Sequence, residues 1–302
     1  MKAIAFQEKK SGPNYAENFD LQWNTFKKTQ LDSYTGVPRN ATNLFRSTKW
    51  TPEELRGKTV LEAGCGAGKY TEVLLSCGAL VTAFDLTTAV FVNRDQNQKK
   101  GKLTCFQGDI YNLPKLGTYD YVFCYGVLQH CPNPDLAYQK IFERLKEGGK
   151  ISIDYYTNPL IPTPWTTPKY FWRRWSTNIP PKNLLRLIQF YIPFWLPIDT
   201  LIRMIPKIGP IVLGVLRIPC WNYLGVLRIA LRKKPFFSAL YDWYQWAVMD
   251  TFDALGAKYD IPKTIEEVEG MIRKVDQATG IEVFPGSNGI VANAVKRRGA
   301  GY

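Results

Sequence analysis

The sequence Val60-Leu-Glu-Ala-Gly-Cys-Gly-Ala-Gly-Lys69 begins as a short apolar strand and continues into a glycine-rich turn. Because Gly64, Gly66 and Gly68 lack a Cβ, the backbone of such a turn can pass close to a ligand. The amphipathic stretch after the turn predicts a helix whose free N–H groups point at the same space. A dinucleotide-binding enzyme has its third glycine where this chain has Lys69, which argues against NAD and FAD.

Apolar runs alternate with amphipathic stretches through residues 57–155, the pattern of a parallel sheet covered by helices. The runs predict five strands, at Thr59–Ala63, Leu80–Phe84, Leu103–Phe106, Tyr121–Tyr125 and Lys150–Tyr155. Two later runs, Ile281–Pro285 and Ile290–Lys296, flank a Gly-Ser-Asn-Gly turn and predict an antiparallel hairpin. We therefore predict an α/β fold with a seven-stranded, mostly parallel sheet and helices on both faces.

Acidic residues follow the second and third predicted strands. Asp85 comes about 20 residues after the glycine turn, where an acid accepts hydrogen bonds from ribose hydroxyls. Asp109 ends the third strand, within Gln107-Gly-Asp-Ile110. The carboxyl ends of parallel strands meet at one edge of the sheet. The turn and both acids are therefore expected to line one ligand crevice.

With these motifs in this order, residues 57–155 resemble class I S-adenosylmethionine-dependent methyltransferases, whose fold is Rossmann-like. Tyr125-Gly-Val-Leu-Gln-His130 resembles the segment after the fourth strand in ubiquinone- and menaquinone-pathway enzymes. Residues 250–296 and Gln22-Trp23-Asn24 resemble a less characterised methyltransferase branch. The resemblance implies S-adenosylmethionine as cofactor and a set of cofactor-binding residues: Glu62, Gly64, Cys65, Gly66, Gly68, Asp85, Leu86, Asp109, Ile110 and Tyr125.

The same resemblance implies individual roles at this site. Glu62 would hold the methionine end of the cofactor, and Asp85 would bind both ribose hydroxyls. Asp109 and the backbone of Ile110 would bind the adenine ring. The segment from Tyr125 onward would line the methyl-transfer end of the crevice.

Two residues are candidates for catalysis, His130 and Tyr125. A hydroxyl acceptor must lose a proton, and His130 is the only side chain here whose ordinary pKa lies near neutrality. The alternative is a histidine that orders the loop before Pro132. Tyr125 is expected to contact cofactor or acceptor; otherwise it is an aromatic residue that packs at a strand end.

Four residues are candidates for acceptor contact. Asp154, Tyr155 and Tyr156 lie at the end of the fifth predicted strand, and Trp23 is expected either to cap the pocket or to pack an N-terminal helix. Asp250 and Asp253 could also reach the site, but the default interpretation is that they lie on a solvated helix face. The scattered cysteines include no Cys-x-x-Cys pair, and with a single histidine we predict no metal site.

The net charge of +13 is concentrated in one segment. Residues 157–234 carry twelve basic side chains and a single acid, Asp199. The stretch 184–232 is apolar and aromatic, yet prolines interrupt its longest charge-free run, so a membrane-spanning helix is not expected. Short amphipathic helices at an anionic membrane surface are the favoured interpretation. The alternatives are a helical lid over the pocket and, least favoured, nucleic-acid binding.

We divide the chain into an N-terminal helical extension (1–56), a methyltransferase domain (57–156 and 250–302) and an inserted helical subdomain (157–249). The predicted function is methyl transfer to a small or lipid-linked acceptor, at oxygen or carbon. One alternative is a soluble natural-product methyltransferase with the insertion as substrate lid. The other is an inactive, membrane-associated binding protein. Because Met1–Lys10 lacks an apolar run of signal-peptide length, we expect a cytoplasmic protein, peripheral on the inner membrane surface.

Overall fold

One mixed sheet forms the centre of the protein. The structure, a computed structural model, describes residues 15–158, 168–216 and 218–299. The sheet has seven strands in the order β3-β2-β1-β4-β5-β7-β6. Their bounds are β1 Thr59–Ala63, β2 Leu80–Asp85, β3 Leu103–Gln107, β4 Tyr119–Cys124, β5 Leu145–Tyr155, β6 Ala278–Gly286 and β7 Gly289–Lys296.

The first five strands are parallel, and β7 lies antiparallel between β5 and β6. The predicted seven-stranded, mostly parallel sheet is confirmed. In the hairpin Gly286 pairs with Gly289, which leaves Ser287 and Asn288 as a two-residue loop. The fifth strand is longer than predicted and begins at Leu145 rather than Lys150.

Helices cover both faces of the sheet. The crossover helices are α5 Lys69–Ser76, α6 Ala89–Asn97 and α7 Pro134–Phe142, and a 3-10 turn spans Leu128–His130. Four helices precede the first strand: α1 Glu17–Thr25, α2 Asp32–Thr35, α3 Arg39–Thr48 and α4 Pro52–Leu55. They lie within the expected extension 1–56, of which residues 1–14 are outside the described residues.

Five helices form the segment between β5 and the C-terminal hairpin, and α13 Ile265–Arg273 follows them. They are α8 Pro168–Ser176, α9 Pro181–Arg203, α10 Gly209–Leu216, α11 Leu224–Lys233 and α12 Phe236–Gly256. The expected domain boundary between 249 and 250 falls inside α12, so the insertion joins the methyltransferase domain through one continuous helix. Within this insertion, residues 159–167 and Arg217 lie outside the described residues.

The expectation of short helices is wrong for α9, which runs unbroken past Pro193 and Pro197. A proline has no N–H, so Pro193 leaves the carbonyl of Gln189 without its helical donor. The Tyr244 hydroxyl of α12 lies 3.4 Å from that carbonyl oxygen and donates to it. A neighbouring helix thus replaces the lost hydrogen bond, which sequence spacing alone does not reveal.

The insertion packs on the N-terminal extension through an apolar cluster separate from the two that flank the sheet. Its buried members come from α9, α12 and the end of α1, and they include Leu184, Ile188, Ile192, Trp243, Phe252 and Phe26. The extension therefore lies between the methyltransferase domain and the insertion.

The glycine turn after β1 generates a stability prediction. Gly64 has a φ of 70°, and a Cβ at this position would overlap the side chain of Val127. A left-handed residue with a side chain costs about 1–2 kcal/mol, and overpacking adds about 1–3 kcal/mol. We expect Gly64→Ala to lower the free energy of unfolding by about 2–5 kcal/mol, the sum of these two costs, as measured by urea denaturation.

Gly117→Ala is the matched control, because no atom lies within 4 Å of the added Cβ and φ there is not positive. It should leave the urea midpoint unchanged or raise it slightly. Equal midpoints for the two variants would show that the turn tolerates a side chain.

Candidate active site

A cavity of about 770 Å³ opens at the carboxyl ends of β1, β2, β4 and β5. Most of the residues that the sequence predicted for the site line it together. They are Trp23, Glu62, Gly64, Cys65, Gly66, Asp85, Leu86, Ile110, Tyr125, His130 and Asp154. Sheet topology brings them together, because the strand ends that carry most of them share one edge.

The Asp85 carboxylate holds the glycine turn in place. Its Oδ2 accepts the Gly66 N–H at 2.8 Å, and its Oδ1 accepts the N–H and hydroxyl of Thr87. Trp23 lies on the other side of the turn, with its Nε1 3.2 Å from where a Cβ of Gly66 would be. Only a glycine therefore allows the α1 indole to come this close to the turn.

Glu62 lies at the end of β1 with its side chain buried. The Thr71 hydroxyl of α5 donates a short hydrogen bond to its Oε2. Burial raises the pKa of Glu62 to about 8, so the carboxyl is mostly protonated at neutral pH in the absence of a cation. A positively charged group nearby would restore its ionised form.

Three of the predicted residues do not line the cavity. Gly68 begins α5, and its carbonyl accepts a hydrogen bond from Asn97 Nδ2 instead. The Asp109 carboxylate turns to the N–H of Tyr111, while its neighbour Ile110 reaches the cavity. Tyr155 is fully buried in the core on the opposite face of β5.

The placement of Tyr155 follows from strand geometry. Successive side chains of a strand point to opposite faces. Asp154 and Tyr156 therefore line the cavity, and Tyr155 between them packs into the core. Acceptor contact was expected for both tyrosines, but of the two only Tyr156 faces the cavity.

His130 is buried at the end of the 3-10 turn and faces the cavity. Its Nδ1 lies 2.8 Å from the carbonyl oxygen of Tyr259. Because a carbonyl only accepts, the neutral ring carries its proton on Nδ1, and Nε2 remains a proton acceptor. Burial lowers the pKa of His130, which keeps the ring neutral at physiological pH. The rings of Phe19 and Tyr156 flank it at 4.8 and 5.3 Å.

Tyr125 has a hydroxyl that is already engaged. It lies 2.8 Å from Ser152 Oγ, and Ser152 in turn donates to Asn293 Oδ1 on β7. Its ring stacks on Phe123 with a centroid distance of 4.2 Å. Burial raises the pKa of Tyr125, so its hydroxyl stays protonated. With these contacts, Tyr125 fits a residue that forms part of the cavity wall better than one that exchanges protons.

Asp154 bridges two loops at the edge of the cavity. Its Oδ1 accepts the N–H of Gly126 at 2.5 Å, and its Oδ2 accepts from Asn288 Nδ2 at 2.9 Å. Burial raises the pKa of Asp154 to about 6. Asn288 and Ser287 of the hairpin turn also line the cavity. The sequence predicts this turn only as the link between two strands of a hairpin, because nothing in its local sequence indicates that it lies over the site.

Two acids of α12 also face the cavity. Asp250 and Asp253 line it, although a solvated helix face was their default interpretation. Asp250 Oδ2 accepts from Trp246 Nε1 at 2.9 Å, and burial followed by repulsion from Asp253 raises the pKa of Asp250 to about 7. The cavity thus has four carboxyl side chains beyond those of Glu62 and Asp85: Asp154 on β5, Asp250 and Asp253 on α12, and Asp260 after α12.

The chemistry of this lining fits S-adenosylmethionine, a ligand with two positive charges and one carboxylate. Buried carboxyl groups favour a cation that lowers the cost of ionising them. Lys69 and Arg39 line the same cavity and can pair with a carboxylate. Gln22, also in the lining, has a buried Oε1 without a hydrogen-bond partner, and this acceptor is open to a ligand N–H or O–H.

Comparison with known proteins identifies the class of this domain. Residues 61–153 match the family described as Methyltransferase domain. Combined with the sheet order and the glycine turn, the match makes this region a class I S-adenosylmethionine-dependent methyltransferase domain. The predicted fold family and cofactor class are thereby confirmed.

Two curated relatives are ubiquinone biosynthesis O-methyltransferases. That of Paraburkholderia xenovorans (strain LB400) is 34% identical over 99 residues, or 32% of this chain and 43% of the relative. That of Glaesserella parasuis serovar 5 (strain SH0165) is 32% identical over 107 residues, or 33% and 45%. The chain spans less than half the length of these relatives.

Among solved structures, the chain is similar to magnesium protoporphyrin IX methyltransferase from Synechocystis PCC 6803 with bound SAH. The sequence identity is 12% and the TM-score 0.42, over 95% of this chain and 90% of that one.

Asp250 generates a pH prediction. Its pKa is raised from 3.8 to about 7, so ionisation destabilises the folded protein. The free energy of unfolding is unaffected below pH 3.8, the pKa of Asp250 in the unfolded chain. It falls as the pH rises from there to about 7, the pKa in the folded protein, and stays lowered at higher pH. Asp250→Asn keeps an acceptor for Trp246 and removes this cost. We expect its melting temperature to exceed that of the unmodified protein at pH 8 and to approach it near pH 4.

Asp276→Asn is the control, since it changes an exposed carboxyl group. Its melting temperature should differ from that of the unmodified protein by the same small amount at both pH values. A constant difference for Asp250→Asn as well would contradict the raised pKa.

Proposed function

We propose that this protein transfers the methyl group of S-adenosylmethionine to an oxygen or carbon atom of a small or lipid-linked acceptor. The main support is that the glycine turn, Asp85 and His130 line one cavity. A cofactor along the turn and an acceptor beside His130 would share this space. Alignment of donor and acceptor, with water excluded, is most of what methyl transfer requires.

The roles proposed for the cofactor-binding residues follow from their positions. Asp85 accepts the ribose hydroxyls beside the turn, and Glu62 holds the methionine ammonium through its charge or a water molecule. The Ile110 backbone contacts the adenine. When bound, S-adenosylmethionine supplies a methyl group activated by its sulfonium.

His130 is the proposed base. The Tyr259 carbonyl fixes its Nδ1–H, and the lone pair on Nε2 takes the proton of the acceptor. Burial keeps the ring neutral, so it is ready to accept that proton at pH 7. The same hydrogen bond also fits the alternative, a histidine that only orders its loop. Kinetic measurements on a His130 variant separate the base from the structural residue.

A test of methyl transfer uses lipid and metabolite extracts from cells that lack the protein, because the unmethylated acceptor accumulates there. Purified protein with methyl-labelled S-adenosylmethionine should transfer label to one component and raise its mass by one methylene. Asp85→Ala should weaken cofactor binding by about 10- to 150-fold, since a hydrogen bond to a charged group contributes about 1.5–3 kcal/mol.

His130→Ala should lower turnover by about 10²- to 10⁴-fold with cofactor affinity unchanged in calorimetry. An unaltered rate would make His130 a structural residue. Cofactor binding without any label transfer would instead favour the inactive, membrane-associated binding protein.

We further propose that the insertion lies on an anionic membrane surface. In the described residues, all exposed large apolar side chains except Tyr34, Phe91 and Leu136 lie between Trp175 and Tyr241. Those of α9 fall on one face of the helix, at Leu187, Phe190, Phe194, Ile198 and Leu201. A stripe of this kind suits burial at the boundary between headgroups and acyl chains.

Charge on the insertion agrees with this orientation. Both of its acids have basic partners: Asp199 is buried and accepts from Arg203 and Asn222, and Asp242 accepts from Lys234. Lys182, Arg186, Lys207, Arg228 and Arg232 are exposed without an acidic partner among the described residues. Each base near an anionic surface contributes about 1 kcal/mol. In the described part of the chain, no helix has the length and apolarity needed to cross a membrane.

The rival is a soluble natural-product methyltransferase with the insertion as a lid. Trp221, Tyr223 and Trp246 line the cavity, so the insertion and α12 do cover the site. A lid alone, however, gives no reason for Phe190 and Phe194 to be about 70% exposed, at 72% and 69%. Nucleic acid is disfavoured because the basic residues of this segment are interleaved with long aliphatic runs, which gain nothing from contact with phosphate. We therefore propose a peripheral protein on the cytoplasmic face of the inner membrane.

Liposome sedimentation tests this proposal. Binding to anionic vesicles should exceed binding to neutral ones and fall, without vanishing, at high salt. The double variant Phe190→Ser, Phe194→Ser should weaken binding more at high salt than at low salt. At high salt the charges are screened, so the apolar contribution is the main one. Changing Arg228, Arg232 and Lys233 to Gln should weaken it at low salt.

Phe91→Ser with Leu136→Ser is the matched control, since both side chains are exposed but lie on the methyltransferase domain. Protein that stays in the supernatant with anionic vesicles at low salt would leave the lid as the better interpretation.

A further inference from the structure

A second cavity, of about 570 Å³, adjoins the first. It lies between the segment 25–39, α11 and the first half of α12. Arg39, Tyr223, Ile229 and Trp246 line both cavities and form their common wall. The two cavities therefore meet along these residues, and volumes of this size are typical of ligand sites.

The walls of the second cavity are largely apolar. Phe26, Val37, Val226, Ile229 and Ala230 contribute hydrocarbon surface. Such a surface offers little to a polar ligand, whereas it favours the burial of methylene groups.

Three of the charged residues in this lining, Asp32, Lys234 and Asp242, have polar partners within the protein, whereas Lys27 and Lys28 are exposed to solvent. Asp242 accepts from Lys234 at 2.6 Å and from the Tyr34 hydroxyl at 3.1 Å. Lys234 also lies 4.0 Å from the centre of the Tyr34 ring. Asp32 accepts from Asn40 Nδ2 and from the N–H groups of Asn40 and Ala41. These groups therefore need no ligand.

Arg39 marks the boundary between the two cavities. Its guanidinium lies 5.0 Å from the centre of the Trp246 ring and 5.7 Å from that of Tyr223. It lies over both rings and has no acidic partner among the described residues, so its charge is not paired with a carboxylate there. The junction thus presents a cation beside an apolar chamber.

We propose that the second cavity holds the hydrocarbon tail of the methyl acceptor, with the polar head beside Arg39 and the reacting group in the first cavity. This inference rests on the proposed function and specifies its substrate class, an amphiphile with an unbranched or isoprenoid chain. Helix α11 lines the tail chamber with Val226, Ile229 and Ala230 and exposes Arg228 and Arg232. It therefore separates the chamber from the basic surface of the insertion.

The test uses dodecanoate with a bromine atom on the carbon next to the carboxylate, below its micelle concentration, because a head beside Arg39 places this carbon near Trp246. Bromine quenches tryptophan fluorescence on contact, and Trp246 lies in the common wall. We expect saturable quenching, a large part of which disappears in Trp246→Phe. Ala230→Phe fills the chamber from a buried position and should weaken binding of the probe by about ten-fold or more.

Leu231→Phe is the matched control, because the neighbouring side chain of α11 is exposed and does not line either cavity. It should bind the probe as the unmodified protein does. Val226→Trp provides a second filled variant if Ala230→Phe is misfolded by circular dichroism. Equal quenching in filled and control variants, or quenching that never saturates, would overturn the tail chamber.

Calorimetry with S-adenosylmethionine separates this inference from the proposed function. A filled variant that loses the probe but keeps cofactor affinity supports the chamber. Cofactor binding with no saturable probe binding overturns the chamber alone. Saturable probe binding without any cofactor binding overturns the methyltransferase proposal and leaves the chamber in place.

Discussion

The hydrogen bond from the Gly66 N–H to the Asp85 carboxylate is the contact on which the site depends. It joins the turn after β1 to the end of β2 and fixes where the backbone passes the cavity. Trp23 packs on the same glycine, so α1 takes its position from the turn. The insertion packs in turn on α1 and α12. The position of α1 and of the insertion over the cavity therefore depends on a turn that only glycine can form.

The sheet and the strand-end residues were predictable because they are encoded locally. Alternating apolar runs predict the strands, and parallel strands must bring Glu62, Asp85 and Asp154 to one edge. Within a strand, however, one position decides the face, and the sequence-based prediction did not separate Tyr155, which packs into the core, from Tyr156, which faces the cavity. The class of site was thus predictable from the sequence, while the exact lining was not.

Residues supplied by distant elements could not be predicted in the same way. Asp250 becomes part of the site only because α12 crosses the cavity, and its own sequence reads as an ordinary helix. The turn at Asn288 reaches Asp154 across 134 positions of the chain. Pro193 indicated a helix break, yet a hydroxyl from Tyr244 compensates for it. In each case a tertiary contact overrides or completes the local signal.

The raised pKa values at this site have a common physical meaning. Burial raises those of Glu62, Asp154 and Asp250 to about 8, 6 and 7. Ionising such groups in the folded chain costs free energy, and a buried acid is normally paired or replaced. Under the proposed function, a cationic ligand would lower that cost on binding, and this would contribute to its affinity. The demethylated product lacks the sulfonium charge and would gain less of this contribution. The buried acids would therefore favour the methyl donor over its product and promote exchange of one for the other after each transfer.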